Sequence, residues 1–240
     1  MTIESPQNEK LKLVRKLRER KHREREGLFA TEGEDLLEAG LAAGAEPRFV
    51  LVAAGSGLEG EEVESKLLAE VSALGSGTRA IAVWPMLWTE SPTTPCFYLH
   101  GVGDPGNVGT IIRTVDALVG RSVALGVDCA DSFSPKAVRA SMGSIFSRPP
   151  TKVDFTSTPK PRVAFVPHGG EELDTLAGAA TVCLGAEREG LPDEVLAACE
   201  RRVTIPLRAG GPDSLNVAAA AAIAAQRISS LAMEEAQPDA

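Results

Sequence analysis

The second half of the chain alternates short apolar runs with segments of helical character. The runs are CFYLHGV (96–102), SVALGVD (122–128), RVAFVPH (162–168), TVCLGAE (181–187) and RRVTIPL (201–207). Short, continuous apolar runs of this kind are typical of strands buried on both faces. Helices are predicted between them over 109–119 and 134–146. Strands that alternate with helices form a mostly parallel sheet covered on both sides, so this half predicts an α/β fold.

The first part of the chain predicts a smaller α/β unit. A basic helix ends in a turn at Gly27, and further elements follow: a helix over 32–43, a strand over 48–54, an acidic helix over 59–74 and a strand over 80–84. The segment TESPTTP (89–95) has the proline and hydroxyl content of a linker. The sequence therefore predicts two domains, residues 1–91 and 92–240.

The charge of the chain is unevenly distributed. Residues 10–25 contain nine Lys and Arg and two Glu, a local charge of +7, whereas the rest of the chain has 16 basic and 31 acidic residues. Leu11, Val14 and Leu17 form an apolar stripe at helical spacing, so one side of this helix is expected to pack inward. The opposite side predicts contact with a polyanion. The candidate RNA-binding residues are Lys12, Arg15, Lys16, Arg18, Arg20, Lys21 and Arg23.

Other features exclude several classes of protein. The longest apolar run, 217–225, is far shorter than the roughly 20 residues that span a bilayer, and the first 12 residues lack the apolar core of a secretory signal. The scattered histidines predict no metal site. No C-x-x-C spacing is present, so reduced, buried thiols in the cytoplasm are expected at Cys96, Cys129, Cys183 and Cys199.

A glycine-rich stretch follows the first strand of the larger domain. GVGDPG (101–106) matches G-x-G-x-x-G through Gly101, Gly103 and Gly106, and Asp128 ends the next strand. These residues suggest an NAD-binding Rossmann site. The match is weak, because Pro105 lacks a backbone donor and a second turn is expected over 106–109 before the helix.

Three longer segments resemble the ordered motifs of one family. DPGNVGTIIRTVDALVG (104–120), VCLGAEREGLP (182–192) and IPLRAGGPDSLNVAAAAAIAAQRI (205–228) resemble the SpoU (TrmH-type) RNA 2′-O-ribose methyltransferases of the SPOUT superfamily. Residues 131–146 are similar to the segment after the family's first motif. Residues 8–41 resemble the substrate-binding domain of many members, which has a ribosomal-protein-like fold.

The resemblance implies a parallel α/β sheet with a C-terminal trefoil knot, a homodimer formed partly through the last helix, and S-adenosylmethionine as cofactor. By motif position, the cofactor-binding residues would be Leu184, Gly185, Ile205, Leu207, Ser214 and Leu215.

The implied reaction transfers a methyl group from the sulfonium to a ribose 2′-hydroxyl of RNA, with Asn107, Arg113, Glu187 and Asn216 as the implied catalytic residues. Arg113 would act as base or as phosphate clamp; a guanidinium pKa above about 12 favours the clamp. Glu187 would orient Asn107 or the substrate.

Some features depart from the family's pattern or leave alternatives open. The Arg208–Asp213 loop is one residue longer than in the commonest form of the third motif, which leaves the contacts of Leu207 open. Ser214 and Asn216 are also candidate caps of the alanine-rich helix. The few aromatic residues, 4% of the chain, favour recognition of RNA by backbone charge and shape. Ribosomal RNA is the favoured substrate; transfer RNA, a non-catalytic RNA-binding relative and an NAD enzyme are the alternatives.

Overall fold

The structure is a computed structural model that describes residues 2–73 and 77–236. It divides into two compact units. The first is formed by the chain up to Leu87 together with Asp131–Ser147, and the second by Trp88–Ala130 together with the chain from Arg148 onward. The chain therefore enters the first unit twice. A functional boundary at residue 91 remains a prediction.

The helices and strands are numbered in chain order. The helices are α1 (Glu9–Lys16), α2 (Arg20–Glu26), α3 (Glu34–Ala42), α4 (Ser65–Val71), α5 (Pro105–Val119), α6 (Pro135–Ser141), α7 (Ser144–Ser147), α8 (Asp193–Ala197) and α9 (Val217–Ala236). The strands are β1 (Leu28–Glu32), β2 (Phe49–Ala53), β3 (Glu61–Val63), β4 (Ala80–Pro85), β5 (Cys96–Leu99), β6 (Val123–Leu125), β7 (Thr151–Lys152), β8 (Arg162–Phe165), β9 (Thr181–Leu184) and β10 (Arg201–Val203).

The first unit contains a four-stranded sheet in the order β1-β4-β2-β3. β4 pairs antiparallel with β1 and β2, and β2 pairs parallel with β3. The sequence predicts β2 and β4 but neither β1 nor β3. β3 is a short strand in which only Val63 is buried, so it has no alternating pattern, and it lies within a predicted acidic helix whose end, Leu74, is outside the described residues.

The basic segment forms two helices, α1 and α2, where one was predicted. The Arg23 guanidinium donates to the carbonyls of Leu17 and Arg18 at 2.7 and 2.8 Å, so these carbonyls are satisfied without a continuing helix. The predicted turn at Gly27 is present, with φ of 64°. The apolar stripe is also confirmed: Leu11, Val14 and Leu17 are at most 2% exposed and belong to the core of this unit.

The second unit contains a six-stranded sheet in the order β10-β8-β9-β5-β6-β7, and every pair is parallel. The five predicted strands are present and each is shorter than its apolar run. The α/β fold with a parallel sheet is therefore confirmed. β7 and α8 were not predicted, because segments of two and five residues are too short to establish a period.

α5 begins at Pro105, four residues earlier than predicted. The Asp104 side chain accepts a hydrogen bond from the Asn107 backbone N–H at 2.9 Å, and Pro105 occupies the first helical position, where no backbone donor is required. The expectation of a separate turn over 106–109 was wrong, because Asp104 and Pro105 together start the helix directly.

The predicted helix over 134–146 is also interrupted. Met142 and Gly143 have φ of 47° and 95°, which ends α6 before the short α7.

The alanine-rich segment forms the 20-residue helix α9, which packs on α5. Ala221, Ala224 and Ala225 are fully buried, and such small side chains allow close approach to a neighbouring element.

Within the described ranges, no helix combines the length and apolarity that would be needed to cross a membrane. The same ranges hold no group of three or more His, Cys, Asp or Glu side chains arranged to bind a metal ion.

Candidate active site

A pocket of about 300 Å³ lies in the second unit at the carboxyl ends of β8, β9 and β10, where ligands bind in open parallel sheets. Its walls come from the segments after these three strands and from the start of α9. All six predicted cofactor-binding residues line it: Leu184, Gly185, Ile205, Leu207, Ser214 and Leu215. Leu207 therefore reaches the pocket in spite of the longer loop that follows it.

The segment after β9 forms a tight loop along one wall of the pocket. The backbones of Ala186 and Gly190 exchange two hydrogen bonds of 3.0 and 3.1 Å. A Cβ atom at Gly185 would lie 2.2 Å from the carbonyl carbon of Gly190. Gly190 has φ of 69°, and a Cβ there would meet no atom within 4 Å. The loop thus requires glycine at these positions for different reasons: close backbone approach at Gly185 and backbone conformation at Gly190.

The pocket fits the adenosyl part of S-adenosylmethionine. Apolar side chains from Leu184, Ile205 and Leu215 form its walls, and its volume is at the lower end of the range of small-ligand sites. Leu215 is 40% exposed, so part of its side chain is accessible to a ligand in the pocket. These residues would hold the cofactor by apolar contact and through the backbone of the glycine loop.

Three of the predicted catalytic residues form a hydrogen-bonded cluster beside this pocket. The Asn107 amide nitrogen donates to Glu187 Oε1 at 2.7 Å, and the Asn216 amide nitrogen donates to Asn107 Oδ1 at 3.1 Å. The three side chains line an open depression of about 640 Å³ together with Gly101, Gly103 and Asp104. Residues from α5, the β9 loop and the start of α9 therefore meet at one place.

Asn216 also caps α9. Its Oδ1 accepts hydrogen bonds from the backbone N–H groups of Ala218 and Ala219 at 2.9 and 3.3 Å. This leaves the amide nitrogen to donate to Asn107, so one side chain both starts the helix and joins the polar cluster. The predicted cap at Asn216 is thus present, whereas Ser214 lines the pocket.

Arg113 does not belong to this cluster. It lies on α5 six residues after Asn107, which places it about 9 Å further along the helix axis and on a different face. The side chain is exposed and has no hydrogen-bond or salt-bridge partner among residues 2–73 and 77–236. Its charge is therefore available to an external anion.

The start of α5 does not favour a dinucleotide phosphate. Pro105 has no N–H, and the negatively charged Asp104 already occupies the N–H of Asn107. A helix N-terminus binds phosphate through free N–H groups and its positive dipole, and here a carboxylate fills that position. Asp128 is exposed, with φ of 54°. The Rossmann alternative is accordingly disfavoured by this geometry.

The basic residues of α1 and α2 lie in the first unit and most are accessible. Lys16 and Arg18 are exposed, and neither side chain has a salt bridge within the described part of the chain. The others are engaged locally: Lys12 with Glu9, Arg20 with Glu24, Lys21 with Glu19, and Arg15 with the carbonyl of Pro6. Exposed contacts of this kind contribute little to stability, so a phosphate could displace them.

Arg23 requires a correction. Its side chain is 3% exposed and donates to Asp131 Oδ2 at 2.6 and 2.9 Å, in addition to the two backbone carbonyls. A guanidinium engaged in this way is inside the first unit and is not available to RNA. The prediction overlooked this role because Asp131 is 108 residues away in sequence.

Sequence reasoning also missed Arg139 on α6. Arg139 and Arg18 line the same small depression in the first unit, together with the buried side chains of Phe133 and Val138. Arg139 is exposed and has no side-chain partner in the described ranges. The signal was present in KAVR (136–139), which carries two basic residues three positions apart on a helix.

Comparison with known proteins identifies the family. The sequence model of the SpoU rRNA methylase family matches residues 95–226, and that of the MRM3-like substrate-binding domain matches residues 8–82. RlmP of Bacillus subtilis, a 23S rRNA (guanosine(2553)-2′-O)-methyltransferase, is 30% identical over 240 residues, which covers 92% of this chain and 96% of RlmP.

Solved structures agree with this result. An AdoMet-bound rRNA methyltransferase from Sinorhizobium meliloti has a TM-score of 0.83 and 26% identity, with 95% of this chain and 96% of that chain covered. A protein of the TrmH family from Porphyromonas gingivalis has a TM-score of 0.77 and 33% identity, with coverages of 90% and 95%. The resemblance inferred from the three motifs is thereby confirmed: the chain belongs to the SpoU rRNA methylase family.

Proposed function

We propose that this protein transfers a methyl group from S-adenosylmethionine to a ribose 2′-hydroxyl of RNA, with ribosomal RNA as its substrate. The observation that carries the proposal is the apolar pocket with a hydrogen-bonded Asn107–Glu187–Asn216 cluster beside it. RlmP and the Sinorhizobium meliloti protein are both rRNA methyltransferases, which favours ribosomal over transfer RNA. The presence of this cluster argues against a non-catalytic relative.

When bound, S-adenosylmethionine supplies an electrophilic methyl group on a sulfonium. Leu184, Ile205 and Leu215 hold its adenosyl part and exclude water from the flat faces of the base. The backbone N–H and C=O groups of the glycine loop donate and accept hydrogen bonds with the polar atoms of the cofactor. Selectivity for this cofactor then depends on backbone shape, which suits a loop with glycine at 185 and 190.

The polar cluster positions the ribose. Glu187 accepts from one N–H of Asn107, and Asn216 donates to its oxygen, so the remaining N–H and lone pair of this amide have fixed directions. We assign Asn107 to hold the 2′-hydroxyl oxygen. Glu187 and Asn216 act through Asn107 and keep that oxygen in line for attack.

Arg113 binds the phosphate next to the target ribose. A guanidinium is a poor proton acceptor but a strong bidentate partner for phosphate. Its positive charge stabilises the alkoxide that develops as the 2′-hydroxyl loses its proton, so it lowers the pKa of that hydroxyl. The proton leaves to the phosphate oxygen that Arg113 orients or to solvent.

The first unit binds the RNA through backbone phosphates. Lys16 and Arg18, which have no salt bridge among residues 2–73 and 77–236, offer their charges next to Lys12, Arg15, Arg20 and Lys21. Arg139 adds a further charge from α6. Phosphate contacts give affinity without reading sequence. We also propose that residue 91 marks the functional division between RNA binding and catalysis. The protein is proposed to act in the cytoplasm.

We further propose that the C-terminal chain forms the trefoil knot of the SPOUT superfamily and that the protein is a homodimer. In support of the knot, the chain after β10 returns to the loop after β9, so that Ile205, Leu207 and Leu215 line one pocket together with Leu184 and Gly185. In support of the dimer, Leu118 on α5 and Met233 on α9 are large apolar side chains with 39% and 67% exposure. An experimental chain trace tests the knot, and light scattering tests the dimer.

The proposed function is tested by calorimetric titration followed by a methyl-transfer assay. We expect binding of S-adenosylmethionine and S-adenosylhomocysteine, no binding of NAD, and transfer of radiolabelled methyl groups to ribosomal RNA at a site that resists alkaline hydrolysis. Binding of NAD without either sulfur compound would support the Rossmann alternative. Labelling of transfer RNA in place of ribosomal RNA would support the proposed reaction but overturn the assignment of ribosomal RNA as its substrate.

A further inference from the structure

Two cysteines lie in contact below the pocket. Cys183 is on β9 and fully buried, and Cys199 is half-buried just before β10. Their sulfur atoms are 3.9 Å apart, and both thiols are free. A disulfide requires an S–S distance of about 2.05 Å, so the two sulfur atoms need to approach each other by about 1.9 Å.

The surroundings of the pair favour a thiolate at Cys199. The hydrogen bond with Cys183 lowers the pKa of Cys199. Burial and the Glu200 carboxylate oppose this effect, whereas the positive charges of Arg162 and Arg202 add to it. The same hydrogen bond, with burial, raises the pKa of Cys183. The pair therefore contains one half-buried thiol whose pKa is lowered and one fully buried thiol whose pKa is raised.

Arg162 supplies a buried positive charge in this region. Its guanidinium is 5% exposed and lies over the Phe155 ring at 4.6 Å. Its hydrogen bonds go to the carbonyls of Thr156 and Thr158 and to the Thr158 hydroxyl. None of these acceptors carries a negative charge, so the guanidinium favours a nearby thiolate. The Glu200 carboxylate, which accepts from the Arg162 backbone N–H at 2.7 Å, acts against it.

We propose that Cys199 is a site of oxidation by hydrogen peroxide and that Cys183 is the thiol that resolves it to a disulfide. The Cys199 thiolate attacks one peroxide oxygen, the O–O bond breaks, and hydroxide leaves and takes up a proton, which gives a sulfenic acid and water. The Cys183 sulfur, on losing its proton, attacks the sulfenic sulfur, and the S–O bond breaks with release of a second water. Two thiols are oxidised and one peroxide is reduced to two waters.

The disulfide would alter the cofactor pocket. Cys183 immediately precedes Leu184 and Gly185, and Leu196, three residues before Cys199, also lines the pocket. Drawing the two sulfurs together shifts β9 or the segment after α8, and either movement changes the pocket wall. We expect the oxidised protein to bind S-adenosylmethionine about tenfold more weakly. This consequence rests on the proposed function, whereas the oxidation itself does not.

The test treats the purified full-length protein with hydrogen peroxide and maps its peptides by mass spectrometry. We expect a peptide pair joined through Cys183 and Cys199 that dithiothreitol separates. Cys183→Ser removes the resolving thiol but keeps a hydrogen-bond donor beside Cys199, so the sulfenic acid at Cys199 should persist and react with dimedone. Cys129→Ser, which changes another half-buried thiol, serves as the matched control and should still form the disulfide.

The outcomes separate the two proposals. No disulfide in the folded wild-type protein, or oxidation at Cys129 ahead of Cys199, overturns the assignment of the pair. A disulfide that leaves cofactor affinity unchanged overturns its coupling to the pocket. If the reduced protein does not bind S-adenosylmethionine but still forms the disulfide, the proposed function fails and the oxidation site stands.

Discussion

The Asn107 amide has one orientation because both of its heteroatoms are engaged. Glu187 accepts from its nitrogen and Asn216 donates to its oxygen. Without Glu187, the amide could rotate by half a turn and exchange its donor and acceptor. The Glu187 carboxylate thus fixes which side of the Asn107 amide is the donor and which is the acceptor. Glu187 itself is not proposed to touch the reacting atoms and acts through Asn107.

Replacing Glu187 should therefore reduce the rate of methyl transfer more than the affinity for the cofactor, although Glu187 also lines the cofactor pocket. Glu187→Ala is expected to lower kcat about 100-fold, the loss that misplacement of a reacting group by about 1 Å can produce. Glu187→Gln keeps an acceptor oxygen and should retain an intermediate rate. Single-turnover methyl transfer gives the rates, and calorimetry gives the cofactor affinity.

The control for this series is Glu194→Ala, which removes an exposed carboxylate from α8 outside the cluster. It should leave the rate unchanged. Equal rates for Glu187→Gln and Glu187→Ala would mean that the accepting oxygen does not orient Asn107.

Single residues were predictable where a motif fixes their position. Asn107, Glu187 and Asn216 were identified by motif position, and the structure brings them together although up to 109 residues separate them. Arg23 was misassigned because periodicity places it on a basic helix, whereas its burial depends on Asp131, a contact that no local pattern reveals.

Among the elements, the loop between β9 and α8 is the most tightly constrained part of the site. A side chain is unfavourable at each of its two glycines, but for different reasons. At Gly185 a side chain would collide with the backbone of Gly190 and Leu191, at 2.2 to 2.4 Å. At Gly190 there is space, but the backbone is in the left-handed region.

Alanine substitution should distinguish these two constraints. Gly190→Ala is expected to destabilise the protein by about 1 to 2 kcal/mol, the usual penalty for a side chain in the left-handed region. Gly185→Ala should lower stability further and weaken S-adenosylmethionine binding at least about tenfold, because the loop must open to accommodate the methyl group.

Urea denaturation and calorimetry measure the two effects. Gly178→Ala is a matched control, since Gly178 also has positive φ, at 67°, with no atom within 4 Å of its Cβ. It should resemble Gly190→Ala in stability. A Gly185→Ala protein with wild-type affinity would show that this wall of the pocket is not rigid.

Elements were predictable where they are buried on both faces. The five strands of the parallel sheet that were predicted are continuous apolar runs, whereas β1 and β3 are not. The start of α5 was placed too late because the glycines over 106–109 suggest a turn. The Asp104 cap and Pro105 outweigh that propensity.

At the scale of the whole molecule, the main RNA-binding cations and the methyl-transfer site are assigned to different units. The cofactor pocket and the proposed contacts of Asn107 and Arg113 with the target nucleotide belong to the second unit, and the other proposed phosphate contacts belong to the first. Affinity for RNA and the rate of methyl transfer should therefore respond to different substitutions.

RNA binding should depend on salt, and the unpaired cations of the first unit should account for part of that dependence. Each of Lys16→Ala, Arg18→Ala and Arg139→Ala is expected to weaken binding and to reduce the slope of log affinity against log salt by about 0.7 to 1. The maximal rate at saturating RNA should remain near the wild-type value. Filter binding at several salt concentrations measures the slopes.

Lys66→Ala provides the comparison, because Lys66 is exposed in the same unit but lies on α4, where it is the only basic residue. Its slope should match that of the wild type. If Lys66→Ala reduces the slope as much as Arg18→Ala does, cations elsewhere in the first unit also bind RNA. The cations of α1, α2 and α6 then do not form a distinct RNA-binding site.

The discontinuity of the first unit has a consequence for how such proteins diversify. Phe29 on β1 packs against Phe133 with ring centroids 4.9 Å apart, and Arg23 has its carboxylate at Asp131. A recombination event with a single crossover near residue 90 would combine β1 and α2 of one protein with positions 131 and 133 of another. Exchange of RNA specificity between relatives thus requires either two crossovers or coordinated changes in both pieces, so the two stretches are expected to be inherited together.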